Sequence, residues 1–116
     1  MHRVRRNDLP FEGHSHEFEG AHHGGVQLSA FLFDGPPGSG PRPHRHPYDE
    51  VLFVREGRAR YVVAGTEFEA EAGDILVVKA GEVHSFTCIG ESHLKQIDVH
   101  LSSTFVTEWV HDPREM

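Results

Sequence analysis

The 116-residue chain has a single cysteine, Cys88, so no disulfide can form within it. A lone thiol fits a reducing compartment, and the chain is read as cytoplasmic. No apolar run approaches the ~20 residues with which a helix spans a bilayer, so no membrane association is expected. No secretory leader is read either, because the basic opening from Met1 to Arg6 runs into polar residues instead of an apolar segment. Positive charge is scarce. Eleven Lys and Arg stand against eighteen Asp and Glu, a formal charge of −7, which repels phosphate backbones and argues against nucleic acid as a partner. Helical period is missing before residue 102, and there is no internal repeat.

What remains is β pattern. Residues 1–25 are polar, rich in His, Glu and Gly, and are read as an N-terminal arm or edge strands. From Val26 to Phe33 residues alternate in period two until turn residues from Asp34 to Pro41 break the strand. Further strands are expected over 50–55, 58–64, 66–72, 75–78, 84–89 and 94–101, separated by Gly-containing turns. The 50–55 strand is apolar on both faces, as expected of a strand covered on both sides by a second sheet or another subunit. Short strands about ten residues apart predict an all-β, antiparallel jelly-roll barrel over 26–101. Residues 102–116 are read as a short C-terminal helix capped by Ser102 or Ser103, with Phe105, Val106, Trp109 and Val110 on one face. The whole is one domain, and the two-sided strand and the Trp109 segment suggest a homodimer.

Eleven histidines make chance His-x-His pairs easy, and His14 with His16 is one such pair. His44 and His46 stand apart because of their surroundings. On an extended strand they share a face roughly 6.6 Å apart, close enough for both rings to reach one ion. Glu50 lies roughly 13 Å further on by the same rise and needs a bend, for which Pro47 is the obvious place. His84 has to arrive from a neighbouring strand.

The stretch from Gly38 to Gly57 reads Gly, five residues, His44-x-His46, three residues, Glu50, six residues, Gly57. It resembles, position for position, the first signature of the cupin superfamily. Gly73 to Cys88, with Gly81 and His84, is similar to the second signature. It departs from it where Lys79 stands for Pro and Cys88 for Asn. The resemblance implies a small single-domain cupin barrel in which His44, His46, Glu50 and His84 hold one divalent transition metal. Imidazoles with one carboxylate suit Fe, Mn, Ni, Zn or Cu on ligand type. Positions left open on the ion would take a small-molecule ligand.

Two functions follow from different classes. One is a small metal-dependent dioxygenase or related oxidoreductase on an oxygen-bearing organic substrate. The other is a non-catalytic binding or sensing barrel, and the family also includes metal-dependent isomerases and decarboxylases. No catalytic residue is assigned, with His100 as a candidate. His100 shares a strand face with Gln96 and Asp98, whereas Ile97, Val99 and Leu101 are expected to form the core face. Cys88 is read as a small hydrophobe, Lys79 as solvent-facing and Asp49 as a surface or turn residue. Tyr48 and the strand aromatics are expected mostly in the core, with one or two lining a pocket. His14, His16, His22 and His23 either belong to an arm over the barrel mouth or are exposed.

Overall fold

Gly and Pro punctuation divides the chain into short strands in the computed structural model, which describes residues 1–111. The strands are β1 (Phe11–Glu12), β2 (Ser15–Glu19), β3 (Ser29–Gly35), β4 (His44–Arg45), β5 (Glu50–Glu56), β6 (Arg58–Val63), β7 (Thr66–Glu71), β8 (Ile75–Val78), β9 (His84–Ile89), β10 (Leu94–His100) and β11 (Glu108–Trp109). They form two antiparallel sheets, ordered β1-β2-β3-β10-β5-β8 and β11-β4-β9-β6-β7. Between the sheets lies an apolar core that includes Leu52, Val54, Ala59, Tyr61, Phe86 and Leu94. Turn glycines carry the tight links. Gly57, between β5 and β6, has φ +77°, and a Cβ there would run into the carbonyl oxygen of His93, so glycine meets both a backbone and a packing demand.

Two expectations are corrected. Residues 102–110 are not helical: the chain runs through bends into β11, and residues 112–116 of the expected helix lie outside the described residues. The side chains and backbone that suggested a helical face are instead used in tertiary contacts. Phe105 stacks on Phe31 with ring centroids 4.2 Å apart, the Val106 carbonyl accepts from His46 Nδ1 and its N–H donates to Tyr48 Oη, and Trp109 pairs with His44 across β11 and β4. The second correction concerns β10, whose core face is the polar one. Gln96, Asp98 and His100 are buried while Leu101 is 50% exposed, because the barrel interior at that end holds partners for polar groups.

The N-terminal segment joins the larger sheet. β2 pairs with β3 in the register Ser15 to Phe33, Glu17 to Phe31 and Glu19 to Ser29, which places Ser15, Glu17 and Glu19 on the same side of the sheet as Phe31 and Phe33.

Candidate metal centre

The chain changes sheets within the first motif. His44 lies on β4 of one sheet and Glu50 opens β5 of the other; residues 46–49 cross between them around Pro47, which provides the bend that Glu50 needs. On the first sheet His44 pairs directly with His84 of β9, and on the second Glu50 pairs directly with His100 of β10. The two sheets and the crossover residue His46 therefore bring together two overlapping groups of donors, His44, His46 and His84, and His46, Glu50 and His100.

The crossover is tied to the turn that carries the second motif. Gly81 N–H donates to the His46 carbonyl at 2.8 Å, while Asp49 accepts from Ala80 N–H at 2.9 Å and from Lys79 Nζ at 2.8 Å. Lys79 is solvent-facing as expected, and its own N–H donates to Glu82 Oε1 at 2.7 Å, a bond that proline at this position could not make. Cys88 is a buried core residue whose backbone receives the Gly38 loop: Gly38 N–H donates to its carbonyl and its N–H to the Ser39 carbonyl.

All four predicted ligands are buried, each 7% exposed or less. In each of the three histidines Nδ1 donates to a backbone carbonyl: His44 to Arg42 at 2.8 Å, His46 to Val106 at 2.8 Å and His84 to Glu82 at 2.9 Å. A carbonyl only accepts, so in the neutral rings the proton sits on Nδ1 and Nε2 presents a lone pair. The three rings bring ligand atoms within 4.8 Å of one another. Glu50 Oε1 is 2.9 Å from His84 Nε2 and 3.4 Å from His46 Nε2. Donors bound at about 2.1 Å and at right angles around one ion sit roughly 3.0 Å apart. Lone pairs and a carboxylate gathered this closely in a buried place call for a cation, and His46 Nε2 has no hydrogen-bond partner. The residues present fit a metal.

Electrostatics agrees at His44 and His46. Burial drives His44 and His46 down to about 4, reinforced at His44 by His84, so both rings are neutral near pH 7. Burial would raise Glu50, but the His100 and His84 imidazoles beside it hold it well below the usual carboxylate range. His84 is pushed down by burial and up by its bond to Glu50, with the upward direction prevailing.

His100 belongs to the same cluster and, with His46 and Glu50, forms a second group at metal-ligand spacing. Its Nε2 lies 3.0 Å from Glu50 Oε2, out of hydrogen-bond alignment, and its Nδ1 is 2.6 Å from Tyr48 Oη. Tyr48 Oη accepts from Val106 N–H at 3.2 Å. Its hydroxyl proton then has His100 Nδ1 as acceptor, which leaves the His100 proton on Nε2, facing Glu50. Next along β10, Gln96 Nε2 donates to Asp98 Oδ1 at 2.6 Å and Tyr61 Oη donates to Gln96 Oε1. Asp98 is buried, and burial followed by the Glu50 charge pushes its carboxyl well above the usual range.

These groups open on a cavity of about 360 Å³. Its walls include Phe31, Phe33, Leu52, Phe86 and Trp109, and its mouth Glu12, His14 and Glu17. Sequence reasoning found the four converging residues and the candidate His100. It missed Tyr48 as a partner of His100 and missed Glu12 and Glu17 altogether. The period-two polar face of Gln96, Asp98 and His100 was the available signal for the buried row. Of the arm histidines, His14 lines the cavity, while His22 is exposed with Nε2 3.1 Å from Glu19 Oε1.

Two antiparallel sheets enclosing a buried His/Glu cluster that faces a cavity define a double-stranded β-helix barrel with a site suited to a metal. The cupin domain family model matches residues 31–100, and the chain belongs to that family. No curated protein matches it. Among solved structures it is similar to an oxalate oxidase, with 21% identity and a TM-score of 0.73 over 83% of this chain and 54% of that one. It is also similar to a variant of Bacillus subtilis oxalate decarboxylase, with 18% identity and a TM-score of 0.81 over 92% of this chain and 31% of that one. A Klebsiella pneumoniae protein with a double-stranded β-helix domain is 23% identical, with a TM-score of 0.67 over 74% and 76%. At these identities the likeness is one of fold. The chain spans about half the oxalate oxidase and under a third of the decarboxylase.

Proposed function

We propose that the protein is a metal-dependent cupin of the dioxygenase or related oxidoreductase type, acting on a small oxygen-bearing organic molecule, with His44, His46, Glu50 and His84 holding one divalent transition metal. The observation that carries this is the gathering of three histidine Nε2 atoms and a carboxylate on the inner wall of a cavity large enough for a small ligand. A bound metal there supplies Lewis-acid or redox chemistry to a ligand at its open positions. The chain's own residues do the rest. The three backbone carbonyls fix the ring orientations, the aromatic walls exclude water, and His100, set by Tyr48, places an N–H beside Glu50. A Mn(II)-containing oxalate decarboxylase from Bacillus subtilis shares this fold, which makes Mn one of the metals to try beside Fe, Ni, Zn and Cu.

Metal analysis of protein purified without chelator tests the site. About one ion per chain is expected, with His44→Ala, His46→Ala or His84→Ala losing most of it and His16→Ala keeping it. Full occupancy in His46→Ala would remove the reading. Substrate-dependent oxygen uptake by the loaded protein separates an oxidoreductase from a binding or sensing barrel.

The same proposal includes a homodimer. The outer face of the larger sheet carries two apolar rows set by strand register, Ala30-Val99-Val51-Val77 and Leu32-Ile97-Phe53-Ile75. Ile75 and Val77 on edge strand β8 are 60% and 61% exposed. A second copy, packed sheet on sheet, is the occupant that such a face suits. No helix among the described residues is long and apolar enough to cross a membrane. A cytoplasmic location fits the single, buried Cys88, and the charge of −7 disfavours nucleic acid as a partner.

A further inference from the structure

The N-terminal hairpin brings negative charge to the cavity. Glu12 pairs with Ser15, and Ser15 and Glu17 pair in turn with Phe33 and Phe31, so the acidic residues stand on the cavity side of the sheet and Phe11, His16 and Phe18 on the other. Glu12 and Glu17 both line the cavity, which already holds the Glu50 carboxylate. Among the described residues no Lys or Arg lines it. Burial first, then the neighbouring Glu12 and Glu19 charges, raises the Glu17 carboxyl. Four aromatic side chains, Phe31, Phe33, Phe86 and Trp109, also line the cavity, beside the polar His14, Ser15 and Thr107. Inside, His46 and His100, 4% and 1% exposed, line this space, and their Nε2 atoms lie beside the Glu50 carboxylate with no hydrogen-bond partner.

We propose that this site takes a ligand that is uncharged at neutral pH, with a flat apolar body and a pair of oxygen donors, and that Glu12 and Glu17 select against small dianions. The proposal rests on the metal reading above and deepens it. An ion held by one carboxylate and three neutral imidazoles carries a net charge of about +1, and two further carboxylates at the mouth reverse that sign for any arriving anion. An oxalate-sized dianion would also leave the aromatic walls uncovered, whereas an aromatic body desolvates them. The oxalate-acting proteins that share the fold thus mark a contrast in ligand class.

The test uses the full chain loaded with Co(II), its metal content measured, and two bidentate oxygen probes, oxalate and benzohydroxamic acid, titrated by calorimetry at pH 7. For the wild type, benzohydroxamic acid is expected to bind more tightly than oxalate. In the double variant Glu12→Gln, Glu17→Gln the oxalate affinity should rise by about tenfold while that for benzohydroxamic acid changes by less than about threefold. Unchanged cobalt content in the variant shows that the barrel and its inner cluster are intact. Cobalt uptake with oxalate preferred, or with equal response of both probes to the double substitution, overturns this inference and leaves the metal reading standing. Failure to take up any metal overturns both.

Discussion

Asp98 is the residue whose protonation the fold controls most visibly. Buried beside Gln96 and repelled by Glu50, its carboxyl is held well above 3.8 in the folded chain. An acid with a raised folded-state value stabilises the fold below its unfolded value, and that contribution is lost as pH rises through the folded one. In metal-free protein, the stability of wild type relative to Asp98→Asn should therefore decline from about pH 4 upward. Urea unfolding across a pH series measures it, and a difference that stays flat would show that Asp98 is ionised in the fold. Tyr48 illustrates a different limit at this scale. Nothing in its sequence neighbourhood separates it from the core aromatics, because its partners, His100 and Val106, are 52 and 58 residues away.

Between residue and barrel, the crossover over 46–49 and the turn over 79–82 act as one unit. Asp49 holds that unit through Lys79 Nζ and the Ala80 N–H. Asp49→Ala should weaken metal affinity by about tenfold, the effect of removing an orienting partner, while circular dichroism stays unchanged; a chelator-dye competition reads it. Strands from β5 to β10 were legible because Gly and Pro mark their ends and period two marks their faces. The candidate site was legible because Gly38, Gly57 and the His and Glu offsets resemble the cupin signatures, and strand geometry accounts for the His44 and His46 pair. The 102–110 segment was not. Its Phe105, Val106, Trp109 and Val110 spacing satisfies helical period, yet each of the first three meets a partner more than fifty residues distant, and such contacts override weak local preference. The inward face of β10 was misjudged for a related reason: Gln96, Asp98 and His100 are buried because Tyr61, Glu50 and Tyr48 from other strands satisfy them.

For the molecule as a whole, two apolar rows on the outer face of the larger sheet predict an equilibrium between copies. Phe53→Glu or Val77→Glu should shift the protein toward monomer by placing a charge in the seam, read by analytical ultracentrifugation, while metal content is retained. A wild-type protein that sediments as a monomer at high concentration would end the dimer proposal. Removal of metal should leave the fold standing, since the core of Leu52, Val54, Tyr61, Phe86 and Leu94 is built without it. The placement of His44 and His84 on one sheet and Glu50 on the other has a further consequence for motion. An ion gripping all three would join the two layers as a covalent staple does, closing loops that a chain with one thiol has no other means to close. Metal should thus act on how often the barrel breathes. Amide exchange in β4, β5, β9 and β10 should slow when metal is added, and the β1-β2 and β6-β7 hairpins, which lie outside the clasp, should exchange at the same rate with or without it.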